Sequence, residues 1–350
     1  MWILLAVVVF IFIIIRMMLK SRPSLYSLIW KAPRYGLHSY VHDILNGCTA
    51  ASHLPFLPNL VPLQKGCIRI ISDNPGRMTL QGTNMYLVGT GKTRWLIDAG
   101  SGMEKDLERL QQVMKMEKID TLEGILLTHG HFDHVDGIHT IRTIWPSVPI
   151  WKYFPEKEDE CSGHLSNALA SDWNIKGFFP GQILSGCNME IQVLYTPGHT
   201  NDHVCFYLAQ QKWLFAGDCV LGNASSCVFS HLTHYMETLE SLQKLNIDHV
   251  FPGHGDICKP GDIVRQRNHR QAKEDQIIQT LKKGPMTCDV LVSHLYKNLS
   301  YLLLRGATNN ITHHLTKLHQ EGRIRQEPST PYYGFSSAPR YSNCCGKAVK

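Results

Sequence analysis

The sequence predicts an α/β sandwich followed by a small, mainly helical domain. Three observations predict it. From Cys67 onward, short β-rich runs alternate with helical ones, the spacing of a mixed sandwich. From about Arg265 the pattern turns to helices, closing on a short basic strand in the outline of a winged helix. Several strand candidates end in glycine-flanked loops that carry His or Asp, and such loops are where a rigid scaffold displays its functional groups.

The size agrees. A chain of 350 residues has room for one large and one small domain at about 100 to 200 residues each. With 43% apolar and 18% charged residues it can build a sizeable core, which excludes a mainly disordered protein. Its 27 glycines and 17 prolines exclude collagen-like and low-complexity chains, and no repeat of 20–50 residues marks a solenoid or propeller. The eleven cysteines are scattered and form no C-x-x-C pair, so neither a disulfide framework nor a cysteine zinc site is expected.

The elements follow in order. Residues 1–20 form a hydrophobic N-terminal anchor or signal. Trp2–Ile15 is unbroken apolar, and Met17–Leu19 extend it past Arg16, just enough for a span that needs roughly 17 to 25 residues. The flanking positives lie C-terminal to it, which predicts an uncleaved anchor with the catalytic body in the cytosol, at the endoplasmic reticulum or the mitochondrial outer membrane. The alternative is a cleaved segment and a mitochondrial matrix protein. Residues 21–61, punctuated by prolines, read as a linker. Within a catalytic domain spanning 62–264, strand candidates are 67–71, 84–88, 94–98, 124–128, 190–195, 204–208, 212–216 and 249–251. Helix candidates there are 104–116, 133–144 and 235–244. The winged-helix-like domain, 265–327, contains helices 266–283, 288–297 and 307–320 and the basic strand Gly322-Arg323-Ile324-Arg325. Residues 328–350 read as a flexible tail.

Charge is distributed unevenly. Residues 1–42 carry +5, residues 265–326 carry +7 and the tail +2, leaving −8 on the middle of a chain of net +6. Basic ends on an acidic body point to an anionic partner, nucleic acid or a membrane surface, or else to a solvated helix face.

One stretch carries most of the chemistry. Thr128-His129-Gly130-His131-Phe132-Asp133-His134 follows the β run Ile125-Leu126-Leu127 and opens a helix. His129 and His131, spaced i, i+2 at a strand end, can reach one ion. Asp133 and His134 at the helix start turn toward a neighbouring position. Four ligand-type side chains in six residues are costly crowding without a cation, and imidazole with carboxylate suits zinc, iron or manganese. Three later fragments add ligands on glycine-flanked turns: Thr196-Pro197-Gly198-His199, Ala216-Gly217-Asp218 and Pro252-Gly253-His254. Five His and two Asp can build two metal positions with a shared carboxylate.

This H-x-H-x-D-H run with later His, Asp and His resembles the pattern of the metallo-β-lactamase-fold hydrolases. The resemblance implies an αβ/βα sandwich with two zinc ions per chain: His129, His131 and His199 on the first, Asp133, His134 and His254 on the second, and Asp218 bridging. Met78–Gly91, Leu96–Gly100 and His199-Thr200-Asn201-Asp202-His203 are similar in addition to the beta-lactamase-like protein 2 group, whose members carry a C-terminal winged-helix-like domain. That similarity covers roughly 62–327 and implies a mitochondrial endoribonuclease acting on single-stranded RNA. Two features depart from the pattern: the N-terminal apolar run, and the loop Gly222–Phe229, which has no acid near Asn223.

The expected chemistry is hydrolysis by a hydroxide bridging two cations, whose pKa falls from 15.7 to about 7 on metal binding. Asp133 and His203 are the expected catalytic residues. His203 either donates a proton to the leaving group or binds phosphate, with a structural role as its alternative. Asp98 is expected to orient a metal ligand, while Thr83 and Asn84 either line the site or stabilise a turn. For RNA, Lys282, Lys283, Lys297, Arg305, Arg323 and Arg325 are the expected phosphate contacts, and Tyr296 and Tyr301 either stack bases or belong to the core. The competing function is a glyoxalase II-like or polyketide-releasing thioesterase. No nucleotide cofactor is expected.

Overall fold

A computed structural model describes residues 54–76, 78–156, 173–297, 301–327 and 340–343, all of them within the unit Ala50–Lys350. Seven strands form the first sheet: β1 (Leu60–Gln64), β2 (Cys67–Ile71), β3 (Asn84–Val88), β4 (Thr93–Ile97), β5 (Thr121–Leu126), β6 (Ile150–Tyr153) and β7 (Ile175–Phe178), in that spatial order. The first four pair antiparallel, and β4 to β7 pair parallel. The second sheet has five strands: β8 (Ile183–Gly186), β9 (Met189–Tyr195), β10 (Val204–Leu208), β11 (Trp213–Gly217) and β12 (His249–Pro252), each beside the next. Only β11 and β12 pair parallel.

Side-chain alternation builds four layers. Inward-facing Tyr86, Val88, Trp95 and Ile97 of the first sheet meet Ile191, Val193, Phe206 and Phe215 of the second in one core. The opposite face of the first sheet, with Ile70, Leu87 and Leu96, is covered by α1 (Glu104–Met116) through Leu110 and Val113. The opposite face of the second, with Tyr207 and Leu214, is covered by α4 (Leu232–Leu242) through Tyr235 and Leu239. Strands read as nearly all buried because both sheet faces are covered. The expected αβ/βα sandwich is what forms.

The C-terminal part contains α5 (Pro260–Leu281), α6 (Cys288–Leu295) and α7 (Tyr301–Gln320), with β13 (Met286–Thr287), β14 (Ile324–Glu327) and β15 (Arg340–Asn343) in the order β13-β15-β14. Ile277, Leu281, Leu291, Ile311, Leu315 and Leu318 form its separate core. Glu274, fully buried, is the polar centre: Lys317 Nζ lies 2.9 Å and Arg323 Nη1 3.0 Å from its oxygens. Burial alone pushes its pKa up, but His314 and Lys317 outweigh it and hold the carboxyl at about 2. Several basic residues of this domain are therefore turned inward, so its +7 overstates the charge it offers a partner.

Several boundaries differ from expectation. The helix expected over 133–144 is two short ones, α2 (Phe132–Val135) and α3 (Ile138–Arg142). Gly137 N–H leaves the helical ladder to donate to Gly100 O, and a Cβ there would collide with Ala99 O. The first helix of the winged-helix part starts at Pro260, across the expected boundary at 264/265, and its proline suits a first helical turn. The strand Arg340–Asn343 falls within the expected tail and completes the wing by pairing with β14.

The expected membrane anchor, with the body in the cytosol, is corrected. Among the described residues no helix is long and apolar enough to cross a membrane. The longest, α5, carries seven Asp, Glu, Lys and Arg residues, among them Arg265, Arg267, Glu274 and Asp275. The run 2–19 lies outside the described residues.

Candidate metal centre

The ligand candidates follow strand ends, five of them in loops and two, Asp133 and His134, in the short helix α2 after β5. Asp98 follows β4, His129 and His131 follow β5, His199 follows β9, Asp218 follows β11 and His254 follows β12. The two sheets place these strand ends along one rim. His129, His131, His199 and Asp218 form one group whose ligand atoms lie within 4.8 Å of one another, and Asp133, His134 and His254 form a second.

In the first group His129 Nε2 is 2.9 Å and His199 Nε2 3.0 Å from His131 Nδ1. In the second, His254 Nε2 is 3.3 Å and His134 Nε2 3.5 Å from Asp133 Oδ2. Asp218 faces both groups. Its Oδ2 lies 3.4 Å from His199 Nε2 and 3.3 Å from His254 Nε2, and its Oδ1 lies 3.5 Å from His134 Nε2. Gly253 permits this approach, since a Cβ there would strike Asp218 Oδ1.

Hydrogen bonds behind the ligands fix which nitrogen is free. Asp98 accepts from His134 Nδ1 at 2.8 Å and from Thr128 N at 2.8 Å. The Thr128 hydroxyl donates to Asp98 Oδ2 at 2.9 Å and faces His129 Nδ1 at 3.0 Å. His199 Nδ1 donates to Cys227 O at 2.8 Å. In each case the far nitrogen is the donor, so Nε2 presents its lone pair to the centre. The assignment follows from the partners. Thr83 donates to Asp133 Oδ2 at 2.9 Å while its own hydroxyl accepts from Asn74 at 2.9 Å. Asn84 instead clamps Pro252 O and Gly255 O on either side of His254.

The electrostatics fit a cation. Burial drives His129 and His131 well below the ordinary imidazole value, helped by neighbouring imidazoles, and draws His199 down to about 4. Burial also disfavours charge on His134 and His254, but the carboxylates outweigh it. Asp133, Asp98 and Asp218 hold His134 well above its usual value, and Asp218 and Asp133 raise His254 to about 9. Asp133 and Asp218 are held low by the same imidazoles against the opposing effect of burial. The carboxylates thus require positive charge beside them. His134 Nε2 and Asp218 Oδ1 are buried with no hydrogen-bond partner, an arrangement that costs free energy unless a cation takes both. Five imidazoles and two carboxylates with unshared lone pairs are the donor set of a divalent metal.

The structure brings all seven sequence-predicted ligand residues together in two adjacent groups, and places His203 behind them. It is fully buried, its Nε2 accepts from Asp218 N at 3.2 Å, and its Nδ1 is bonded to Thr196 Oγ1 at 2.8 Å. Both nitrogens are engaged within the protein, Nε2 with the Asp218 peptide and Nδ1 with the Thr196 hydroxyl, which places His203 as a support for the Asp218 backbone. Tyr296 packs against the wing core with Lys273 over its ring, 4.4 Å from the centroid. The side chains of Tyr301 and Arg305 lie outside the described residues. Arg323 is tied to Glu274 and Glu321. Sequence reasoning missed Phe229, exposed beside the ligands, its ring centroid 5.3 Å from that of His131 and 5.4 Å from that of His199. The only signal was its place in the loop after Asp218.

Asp98→Asn is expected to weaken metal binding or activity by about 10- to 100-fold, the usual cost of losing a partner behind a ligand. An amide cannot accept simultaneously from His134, Thr128 N and the Thr128 hydroxyl as the carboxylate does. Competition with a chromophoric chelator measures this, and unchanged affinity and turnover would remove Asp98 from the site.

The comparisons with known proteins agree with this geometry. Residues 78–254 match the family model of the metallo-beta-lactamase superfamily, and residues 287–332 match the beta-lactamase associated winged helix domain. The chain is 34% identical to the beta-lactamase-like protein 2 homolog of Drosophila melanogaster, over 79% of this chain and 95% of that one. It is 32% identical to the atrochrysone carboxyl ACP thioesterase of Aspergillus fumigatus, over 66% of this chain and 70% of that one. A beta-lactamase domain protein from Burkholderia ambifaria shares the fold with a TM-score of 0.67 at 19% identity, covering 84% of this chain and 96% of that one. The chain belongs to the metallo-beta-lactamase superfamily, with a C-terminal winged helix, and has the ligand set of a metal-dependent hydrolase.

Proposed function

We propose that this superfamily member is a zinc-dependent endoribonuclease that holds two zinc ions and cleaves single-stranded RNA. The observation that carries the reading is Phe229. Its ring stands at the rim of the ligand set, part exposed, edge-on to His131 and His199. A flat apolar surface there suits an unstacked base, which a single strand offers and a duplex does not. Lys282, Lys283, Lys297 and Arg325 support the same reading. They are exposed and make no ion pair among the described residues, so they are free for phosphates.

A pair of zinc ions, when bound, supplies an activated water near neutral pH and neutralises charge developing on the phosphoryl oxygens. The residues do the rest. Asp218 spans the two groups, and His203 and Ser226 fix its backbone at N–H and C=O respectively. Asp98 keeps the proton on Nδ1 of His134, so that Nε2 stays a ligand. Thr83 holds Asp133.

A second reading, hydrolysis of an acyl thioester, is favoured by the thioesterase relative, since Phe229 can also pack an aromatic acyl group. One assay separates them: the full chain and Asp133→Ala, each offered single-stranded RNA, duplex RNA and a panel of acyl thioesters. Cleavage of single strands alone, lost in the variant, is the expected result. Replacing Lys282, Lys283 and Arg325 together by Gln is expected to weaken RNA binding and to flatten its log–log salt dependence by about 0.7 for each phosphate no longer neutralised. Thioester turnover with RNA untouched would overturn the proposal, as would an unaltered salt slope for the role of the wing.

A further inference from the structure

The loop between Asp218 and Phe229 lies between the metal ligands and the C-terminal helices. On the ligand side, Ser226 Oγ donates to Asp218 O at 2.5 Å, Cys227 O accepts from His199 Nδ1 at 2.8 Å, and Phe229 N donates to His199 O at 3.0 Å. On the other side, α5 and α7 hold the same loop. Gln266 of α5 accepts from Ser226 N at 3.1 Å, and its amide group donates to Ala224 O at 3.3 Å. Asn309 of α7 donates to Val228 O at 3.3 Å. Arg270 of α5 donates through Nη2 to Ser226 O and through Nη1 to Asn310 Oδ1 of α7 at 2.6 Å.

Arg270 is the unexpected member. It is 3% exposed, and among the described residues it makes no ion pair with a carboxylate. Its contacts are a carbonyl, a side-chain amide and the face of Tyr235, whose centroid is 5.7 Å from the guanidinium carbon. Burying a guanidinium against neutral acceptors is costly, and an apolar pair would glue the two domains at lower cost. What a guanidinium adds is a rigid planar fork that fixes two acceptors from two elements relative to each other. One of those acceptors, Ser226 O, belongs to the residue whose hydroxyl holds Asp218. The next residue's carbonyl holds His199.

We propose that Arg270 is a positioning residue for the metal centre, through which the C-terminal domain sets the orientation of His199 and Asp218. The metal site is then a two-domain structure, and the winged helix is part of its frame whatever the substrate. The inference does not rest on RNA as substrate.

The test uses the full chain and reads metal binding directly. Zinc affinity is measured by chelator competition, and Co²⁺ is added to the metal-free protein for its visible spectrum, which reports ligand geometry. Arg270→Ala is expected to weaken zinc binding by about 10- to 100-fold, as for other groups that support a ligand, and to shift the cobalt spectrum. Millimolar ethylguanidinium is expected to restore part of both, and Arg270→Lys to fall between wild type and Arg270→Ala. A lower melting temperature with unchanged zinc affinity and cobalt spectrum would show a purely structural role and overturn the proposal. Should Arg270→Ala fail to fold, Asn309→Ala decides. Its side chain is exposed, and a drop in zinc affinity with an altered cobalt spectrum supports the proposal. Wild-type behaviour in that variant would overturn it.

Discussion

Asp133→Ala is expected to lose turnover by at least about 10³-fold, more than the 10- to 100-fold typical of supporting residues because a ligand itself is removed. Its metal content is expected to fall, with the first group retained and the second emptied. The geometry makes the loss selective. Asp133 Oδ2 is the atom that faces both His134 and His254, whereas the first group is completed without it. The fold is expected to survive. Thr83 loses one acceptor but keeps its bonds to Asn74 through both the hydroxyl and the peptide N–H, so the penalty is of the order of one hydrogen bond, about 1 kcal/mol. Elemental analysis, a circular dichroism melt and turnover on the same preparation separate the outcomes. A folded Asp133→Ala chain with full activity would sink the two-position reading. A folded chain that loses all its metal would show that the two groups bind as one unit.

Much of this site was legible because its chemistry is local. His129, His131, Asp133 and His134 are nearly consecutive, and each later ligand stands beside a glycine at a strand end, where the backbone must turn under a steric constraint. The strands β2, β3 and β10 were readable to the residue, since they are short, apolar and bounded by turn residues. What sequence could not show is the direction of a side chain. Arg270 reads as one more cation on a basic helix, yet it points inward. Arg323 reads as a phosphate contact, yet its charge is spent on Glu274. His203, four residues after His199, reads equally as a proton donor, a phosphate ligand or a structural histidine, and only the structure shows both of its nitrogens bonded within the protein. β6 was missed because Lys152 interrupts its apolar pattern, and nothing near that lysine in sequence reveals the acid that pairs with its charge.

That acid is Asp202. Lys152 Nζ lies 2.5 Å from Asp202 Oδ2, with 1% and 0% of the two side chains exposed. Lys152 Nζ donates to Tyr153 O at 2.8 Å and sits 4.8 Å from the centroid of the Phe154 ring. Lys152 is on β6 of the first sheet, and Asp202 is in the loop between β9 and β10 of the second, three residues after His199. The pair thus crosses from one sheet to the loop that carries a ligand. Lys152→Met keeps most of the side-chain volume and strands a buried carboxylate, so it is expected to cost about 3–5 kcal/mol of stability. The double variant Lys152→Met/Asp202→Leu is expected to recover most of that loss, because an apolar pair of similar volume often replaces a buried ion pair at little cost. Denaturant midpoints of the two variants and wild type give the answer. A loss under about 1 kcal/mol in Lys152→Met would mean the pair is solvated and weak. A double variant no more stable than the single one would mean that the packing of Lys152, and not its charge, holds the two sheets together at the His199 loop.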